Sequence, residues 1–373
     1  MVNAKKLSMA IATAVLSTVS LDLKPVNALH PINSTPFGEP SEAKHEHPPG
    51  HEHALVVTPD TPRPVYDILG DRFRFLSLGS ETNNKFAAFE VTAPVGQGVP
   101  QHIHDIEAEV FYLQDGQLTL NLGGQTQVVE AGTYAYLPKG RDHGFLSTGT
   151  TPAKILALAY PGGFTDGLTL EAGTRVTDPN TPILPPIKVE QAKKTALDYT
   201  LNFFPETFQQ YEGNETYHVV PPGAPDRPVY EALGAKYTVL DTLEQTSGQF
   251  SFLDVLLPPQ AQVQIDEQQE HQLYVLDGQV QFQVGDQTTV GTPGSYVYLP
   301  KNTPYSFQNL QTTSARALLI SNPVQAKTSV PEPSFLLGTL AFAGYCSVSL
   351  MLKHKQKKQK LVNLEWSTCL SQR

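Results

Sequence analysis

Four residues in the first half of this 373-residue chain carry metal-ligand chemistry at regular spacing: His102, His104, Glu109 and His143. His102 and His104 are two apart, so on a strand both rings point to one face. A short turn, DIEA, follows, and Glu109 opens the next strand; His143 comes from farther along. Two adjacent strands and a third can converge three imidazoles and one carboxylate. Such a set binds a divalent first-row ion with positions left for water, substrate or dioxygen. It is compatible with Fe, Mn, Ni, Co or Cu, so the expectation is one divalent transition metal of unnamed identity. The cysteines, Cys346 and Cys369, both lie in the C-terminal tail, so a metal in the body must rely on His and carboxylates. Phe111 and Phe145 stand two residues beyond Glu109 and His143 and should share their inward face as walls of a substrate pocket. Phe86, Phe89, Tyr134 and Tyr136 are further wall candidates whose facing the pattern leaves open.

The elements that would position these residues are strands. LTLNLGGQTQVVEAGTYAYLP (118–138) alternates apolar and polar residues, as a strand with one buried face does. Asp115-Gly116 and Asp277-Gly278 lie between β-rich runs and predict tight hairpin turns. The module is written twice. RPVYDILGDRF (63–73) matches RPVYEALGAKY (227–237), YLQDGQLTLNLG (112–123) matches YVLDGQVQFQVG (274–285), and AYLPKGRDHGF (135–145) matches VYLPKNTPYSF (297–307). In the second copy the four ligand positions become Gln264, Asp266, His271 and Tyr305, which predicts a metal-free structural barrel. The same strand pattern survives without three His and a Glu, so their presence in the first copy points to chemistry rather than folding.

The spacing is Gly96-x5-His102-x-His104-x4-Glu109-x6-Gly116, then Gly132-x5-Pro138-x-Gly140-x2-His143. It resembles both sequence motifs of the cupin superfamily, with Ser147 where the second motif usually carries Asn. The resemblance covers residues 61–165 and 216–326 and implies an all-β fold of two tandem double-stranded β-helix (jelly-roll) barrels. Within that superfamily the order of features is similar to the quercetin 2,3-dioxygenase-like group, to which the closing LALAYPGGF (156–164) adds a weaker match. That resemblance implies an enzyme that cleaves a flavonol-like or enediol substrate with O2, Glu109 serving as both ligand and base. A non-oxidative isomerase or decarboxylase, and a non-catalytic metal- or ligand-binding envelope protein, stay open beside it.

The ends read as addresses. Residues 1–28 combine Lys5 and Lys6, an apolar run and Val26-Asn27-Ala28, as a secretory signal does. Residues 29–60 are polar and Pro-rich, a flexible leader whose His45, His47, His51 and His53 could hold metal loosely. Residues 166–215 form a linker with a short helix at 189–199. In 327–373, Pro331-Glu332-Pro333 precedes an uncharged 18-residue run (335–352) and a lysine cluster. The run is long enough to span a bilayer as a transmembrane helix. This tail resembles the PEP-CTERM sorting signal, which implies exosortase-type processing and a place in the cell envelope or outside. Net charge is −10; the two ends carry +2 and +4, leaving −16 in the body, which argues against nucleic acid as a partner. Self-association into a homo-oligomer is left open by the sequence.

Overall fold

In a computed structural model of the chain, the described residues are 53–186, 188–203, 215–264 and 267–323. The signal segment, most of the histidine-rich leader and the C-terminal tail lie outside them. Among the described residues, no helix is long and apolar enough to cross a membrane.

The first barrel is a sandwich of an eight-stranded and a five-stranded sheet, and the second pairs a seven-stranded with a four-stranded sheet. The described residues are mostly β, as expected, with two short α-helices among them at Thr165–Ala172 and Val189–Asp198. The second matches the predicted linker helix; the first falls where only irregular chain was expected.

Burial explains why some strands alternate and others do not. Gln117–Leu122, on the smaller sheet, alternates half-buried and buried residues because its outer face meets solvent. Ala108–Asp115 and Ala153–Tyr160, in the middle of the larger sheet, are buried on both faces along most of their length. Phe111, Leu113, Ile155 and Ala157 face the interior of the first barrel. Val110, Tyr112, Leu156 and Leu158 face away from it, into a second core shared with Phe250, Phe252, Tyr274 and Tyr296 of the second barrel. Phe86, Tyr134 and Tyr136 also belong to this shared core, so of the four extra wall candidates only Phe89 lies inside the first barrel.

The Asp-Gly turns differ from expectation. Ala108–Asp115 pairs with Ala153–Tyr160 and Tyr134–Leu137, whereas Gln117–Leu122 pairs with strands of the other sheet. Gly116 is therefore a corner where the chain changes sheets, not a hairpin. Its φ is +82°, and a Cβ there would lie 2.8 Å from the Ala153 backbone, so glycine is needed twice over. The true two-residue hairpin is Gly123-Gly124, which joins Leu122 to its partner Gln125.

The barrels exchange strands. Leu55–Val57, inside the segment expected to be a flexible leader, pairs antiparallel with Tyr296–Leu299 at the edge of the second barrel's larger sheet. His218–Val220, which the repeat assigns to the second copy, pairs with Tyr134–Leu137 of the first. Each copy's entering arm thus completes the other copy's sheet. A one-copy reading of the leader could not anticipate this, because the partner edge lies more than two hundred residues away.

Candidate metal centre

The four predicted ligand residues come together. His102 lies on the short strand His102–His104, directly opposite His143 in register. Glu109 enters from the facing sheet, where it pairs with Leu137 and Ala159. All four are buried, and one ligand atom from each lies within 4.8 Å of the others. The Nε2 atoms of His102 and His104 are 3.0 Å apart, Glu109 Oε2 is 3.0 Å from His143 Nε2, and Glu109 Oε1 is 3.6 Å from His104 Nε2. Two imidazoles that ligate one ion at about 2.1 Å and at a right angle would be about 3.0 Å apart, so the spacing suits a shared ion.

The opposite edge of each ring is anchored, which is what a metal-binding imidazole requires. His102 Nδ1 is 2.7 Å from the Pro100 carbonyl, and His143 Nδ1 is 3.0 Å from the Arg141 carbonyl. His104 Nδ1 faces the Glu107 carboxylate at 3.0 Å. With Nδ1–H directed outward, the Nε2 lone pair of each neutral imidazole would point into the centre.

Glu107 did not stand out in the sequence. It is wholly buried, and it also accepts from the Thr165 hydroxyl at 2.7 Å and the Thr165 amide at 3.4 Å. A carboxylate in a short turn between two strands ordinarily meets solvent. The available signal was indirect: Glu107 shares the alternation of Glu109, two residues on.

Charge within the cluster is strongly coupled. Burial opposes the charged form of His104, but the Glu109 and Glu107 carboxylates outweigh it and raise its pKa to about 10. Burial likewise opposes an ionised Glu109, yet His104 and His143 hold it well below the usual carboxylate range. Burial, with His143 and His104 beside it, pushes His102 well below its ordinary value. A buried carboxylate kept ionised beside imidazoles draws in a positive charge, and a divalent ion supplies one. The group fits a single divalent metal.

Beside the ligands is a cavity of about 50 Å³, with Phe111 and Phe145 both in its wall. Their rings meet edge to face at 5.6 Å. Phe73 and Phe89 extend the wall, and Leu168, Leu201 and Phe203 of the linker close it. No lysine or arginine lines it among the described residues. The linker residues escaped notice because nothing in their local pattern says that Leu201–Phe203 pairs with the His102–His104 strand.

The second barrel has no such centre among its described residues. His271 occupies the place of Glu109 and bonds Ser321 through Nδ1 at 2.8 Å; the Tyr305 ring lies 5.8 Å away. Gln264 is exposed, and Asp266 lies outside the described residues. His53 is exposed, and the other leader histidines lie outside the described residues. His218 faces the buried Asp241 carboxylate at 3.1 Å.

Comparison with known proteins agrees with this fold. The family model described as the cupin domain matches residues 89–159 and 254–321, one stretch in each barrel. The chain therefore carries two copies of the cupin domain. An uncharacterised protein of Methanocaldococcus jannaschii is 31% identical over 72 residues, 19% of this chain; the chain spans 58% of that relative's length. Among solved structures, protein Ylba of E. coli superposes with a TM-score of 0.52 at 14% identity, covering 77% of this chain and 97% of that one. The oxalate decarboxylase of Lactobacillus farciminis, in a formate complex, gives 0.51 at 15% identity over 74% and 88%. At these identities the likeness is one of fold alone.

Proposed function

We propose that the first barrel is a metal-dependent dioxygenase site acting on an enolisable organic substrate, the second barrel serving as its structural partner. The observation that carries it is a His3Glu group opening onto an apolar pocket with no cationic side chain. A small dianion such as oxalate would enter without a counter-charge beyond the metal, which is costly in an apolar cavity. A molecule with an apolar body and one chelating enol suits the same walls. This favours the oxidative reading over decarboxylation of a dicarboxylate.

His102, His104, Glu109 and His143 would hold the ion, which supplies Lewis acidity toward a substrate oxygen. Glu109 is ionised and lies beside both His104 and His143, so it is the group placed to accept the proton of the substrate enol. Phe111 and Phe145 present ring edges and faces that pack on a planar substrate and exclude water. In the net reaction both atoms of dioxygen enter the product and a substrate C–C bond breaks; Glu109 takes the enol proton and hands it back to the product before release. The sequence features of residues 1–28 and 331–373 support an exported protein held in the envelope by its C-terminal run.

The test is oxygen consumption by protein reconstituted with Fe, Mn, Ni, Co or Cu, with enediols and hydroxy-enones as substrates. Substrate-dependent uptake that His104→Ala abolishes supports the proposal. Full metal occupancy without uptake by any member of the panel assigns the site to non-oxidative chemistry or to binding.

A further inference from the structure

We propose that the pocket selects by size: it admits a one-ring or open-chain enediol or hydroxy-enone, and Leu168, Leu201 and Phe203 of the inter-barrel linker exclude a three-ring flavonol. This narrows, and rests on, the dioxygenase reading.

The cavity measures about 50 Å³, whereas pockets that enclose drug-sized ligands run to roughly 300–1,000 Å³. A flavonol would therefore have to displace a wall. Phe73, Phe89, Phe111 and Phe145 belong to the barrel core, so moving them would cost the packing that holds the sheets together. Leu168, Leu201 and Phe203 of the linker close one side of the wall, and the linker is pinned at several points. Leu201–Phe203 is laddered onto the metal strand, Leu201 opposite His104 and Phe203 opposite His102. The Phe203 ring lies 5.3 Å from the His102 ring. The helix bearing Leu168 is tied at its start by Thr165 to Glu107, and by the Asp166 carboxylate, which accepts from the Gly79 and Gly163 amides at 2.8 and 2.6 Å. Opening the wall far enough for two further aryl rings would break several of these bonds together. A one-ring substrate asks the same walls to yield far less.

The discriminating probes are 3-hydroxy-4-pyranone and quercetin. They share the enol-ketone that chelates metal and differ in the added rings. Binding to the Co(II)-loaded protein is followed by the absorbance shift of each probe on chelation, with metal content measured for every sample. The wild-type protein should bind the pyranone at least tenfold more tightly than quercetin. Phe203→Ala should shift the preference toward quercetin by tenfold or more, measured as the ratio of the two affinities at equal metal content. Leu168→Ala, on a different element, should shift the preference the same way. Equal or tighter binding of quercetin by the wild-type protein overturns the size filter, as does failure of the fully metal-loaded protein to bind the pyranone. Oxygen uptake separates the two ideas. Turnover of quercetin by the wild-type protein sinks the filter and leaves the dioxygenase standing. Selective pyranone binding with no uptake from any small enediol does the reverse.

Discussion

Glu107 shows how a single buried carboxylate joins a metal ligand to a pocket wall. It faces His104 Nδ1 on one side and takes two bonds from Thr165 on the other. Glu107→Gln keeps the shape and removes the charge that orients and polarises His104. Losing an outer partner of a ligating imidazole typically lowers metal affinity about 10- to 100-fold. Chelator competition should read that loss, while thermal unfolding of the metal-free protein keeps the barrel in view; unchanged affinity would remove Glu107 from the site. The cluster also fixes a pH dependence. In the metal-free protein His104 is raised from 6.5 to about 10, so its contribution to stability is fully present below 6.5 and is lost as pH rises through 10. Glu109 is depressed, so its contribution is present above 4.5 and is lost as pH falls through a value well below that. Metal must displace the His104 proton, so affinity should rise with pH between 6.5 and 10, by up to about tenfold per unit, while the metal-free protein loses stability over the same window. Calorimetry and metal titration on one pH series check both slopes; an affinity flat across the window would mean that His104 carries no displaceable proton.

At the scale of elements, the linker helices supply a sharp test. Gly167 sits inside the helix Thr165–Ala172, where glycine ordinarily costs about 1 kcal/mol relative to alanine. A Cβ on Gly167 would come within 2.3 Å of the Tyr199 ring at the end of the second helix. Gly167→Ala should therefore lower stability despite its better helix propensity, and should make the 188–203 segment more susceptible to proteolysis. An increase in Tm would show that the Tyr199 ring yields freely. What the sequence revealed divides along this same scale. The ligand strands were legible because a strand puts His102 and His104 on one face whatever it pairs with. The pairing partner was not legible. Asp115-Gly116 announced a turn, but its role as a sheet-changing corner depends on distant strands: Ala108–Asp115 pairs with Ala153–Tyr160, and Gln117–Leu122 pairs in the other sheet. The helix at Thr165–Ala172 was missed because Gly162-Gly163 reads as loop and the helix is held by Glu107 and Gly79, far back in the chain. Tyr134 and Tyr136 read as possible pocket walls, since apolar residues on a doubly buried strand give no clue to which face they take.

At the scale of the whole molecule, the shared core and the exchanged arms make the two copies one folding unit. Aromatic contacts repeat across the seam: Phe86 meets Tyr298 at 5.1 Å, and Phe250 meets Tyr136 at 5.9 Å. Each such pair adds about 0.5–1.5 kcal/mol beyond area burial. The polar contacts repeat with a difference. Tyr134 donates to the buried Asp241 carboxylate at 2.9 Å, whereas Tyr296 meets the Ser77 hydroxyl at 3.3 Å. Deleting residues 1–60 removes the Leu55–Val57 strand and should bare the Tyr296–Leu299 edge of the second barrel, leaving the metal ligands of the first untouched. The truncated protein is expected to bind metal yet to aggregate on mild heating, with hydrogen exchange accelerated first at Tyr296–Leu299. Protection unchanged at that edge would mean that the arm adds nothing there.

The exchanged arms also set a timetable for a chain made from its N-terminus. Val57 finds its place only when Tyr296 has been synthesised, and Tyr134–Leu137 waits for His218–Val220. At synthesis rates of about 5–20 residues per second, the first arm stays unpaired for roughly 10–50 seconds. Until His218–Val220 emerges the nascent first barrel shows an open strand edge, and beyond that the aromatic face meant for its twin, both apt to capture a neighbouring chain. Sequential emergence thus places the hazard of misassembly before the second copy exists. It also gives that copy, which lacks the His3Glu group, a task independent of catalysis: the order of manufacture makes it the cover under which the metal-binding copy is finished.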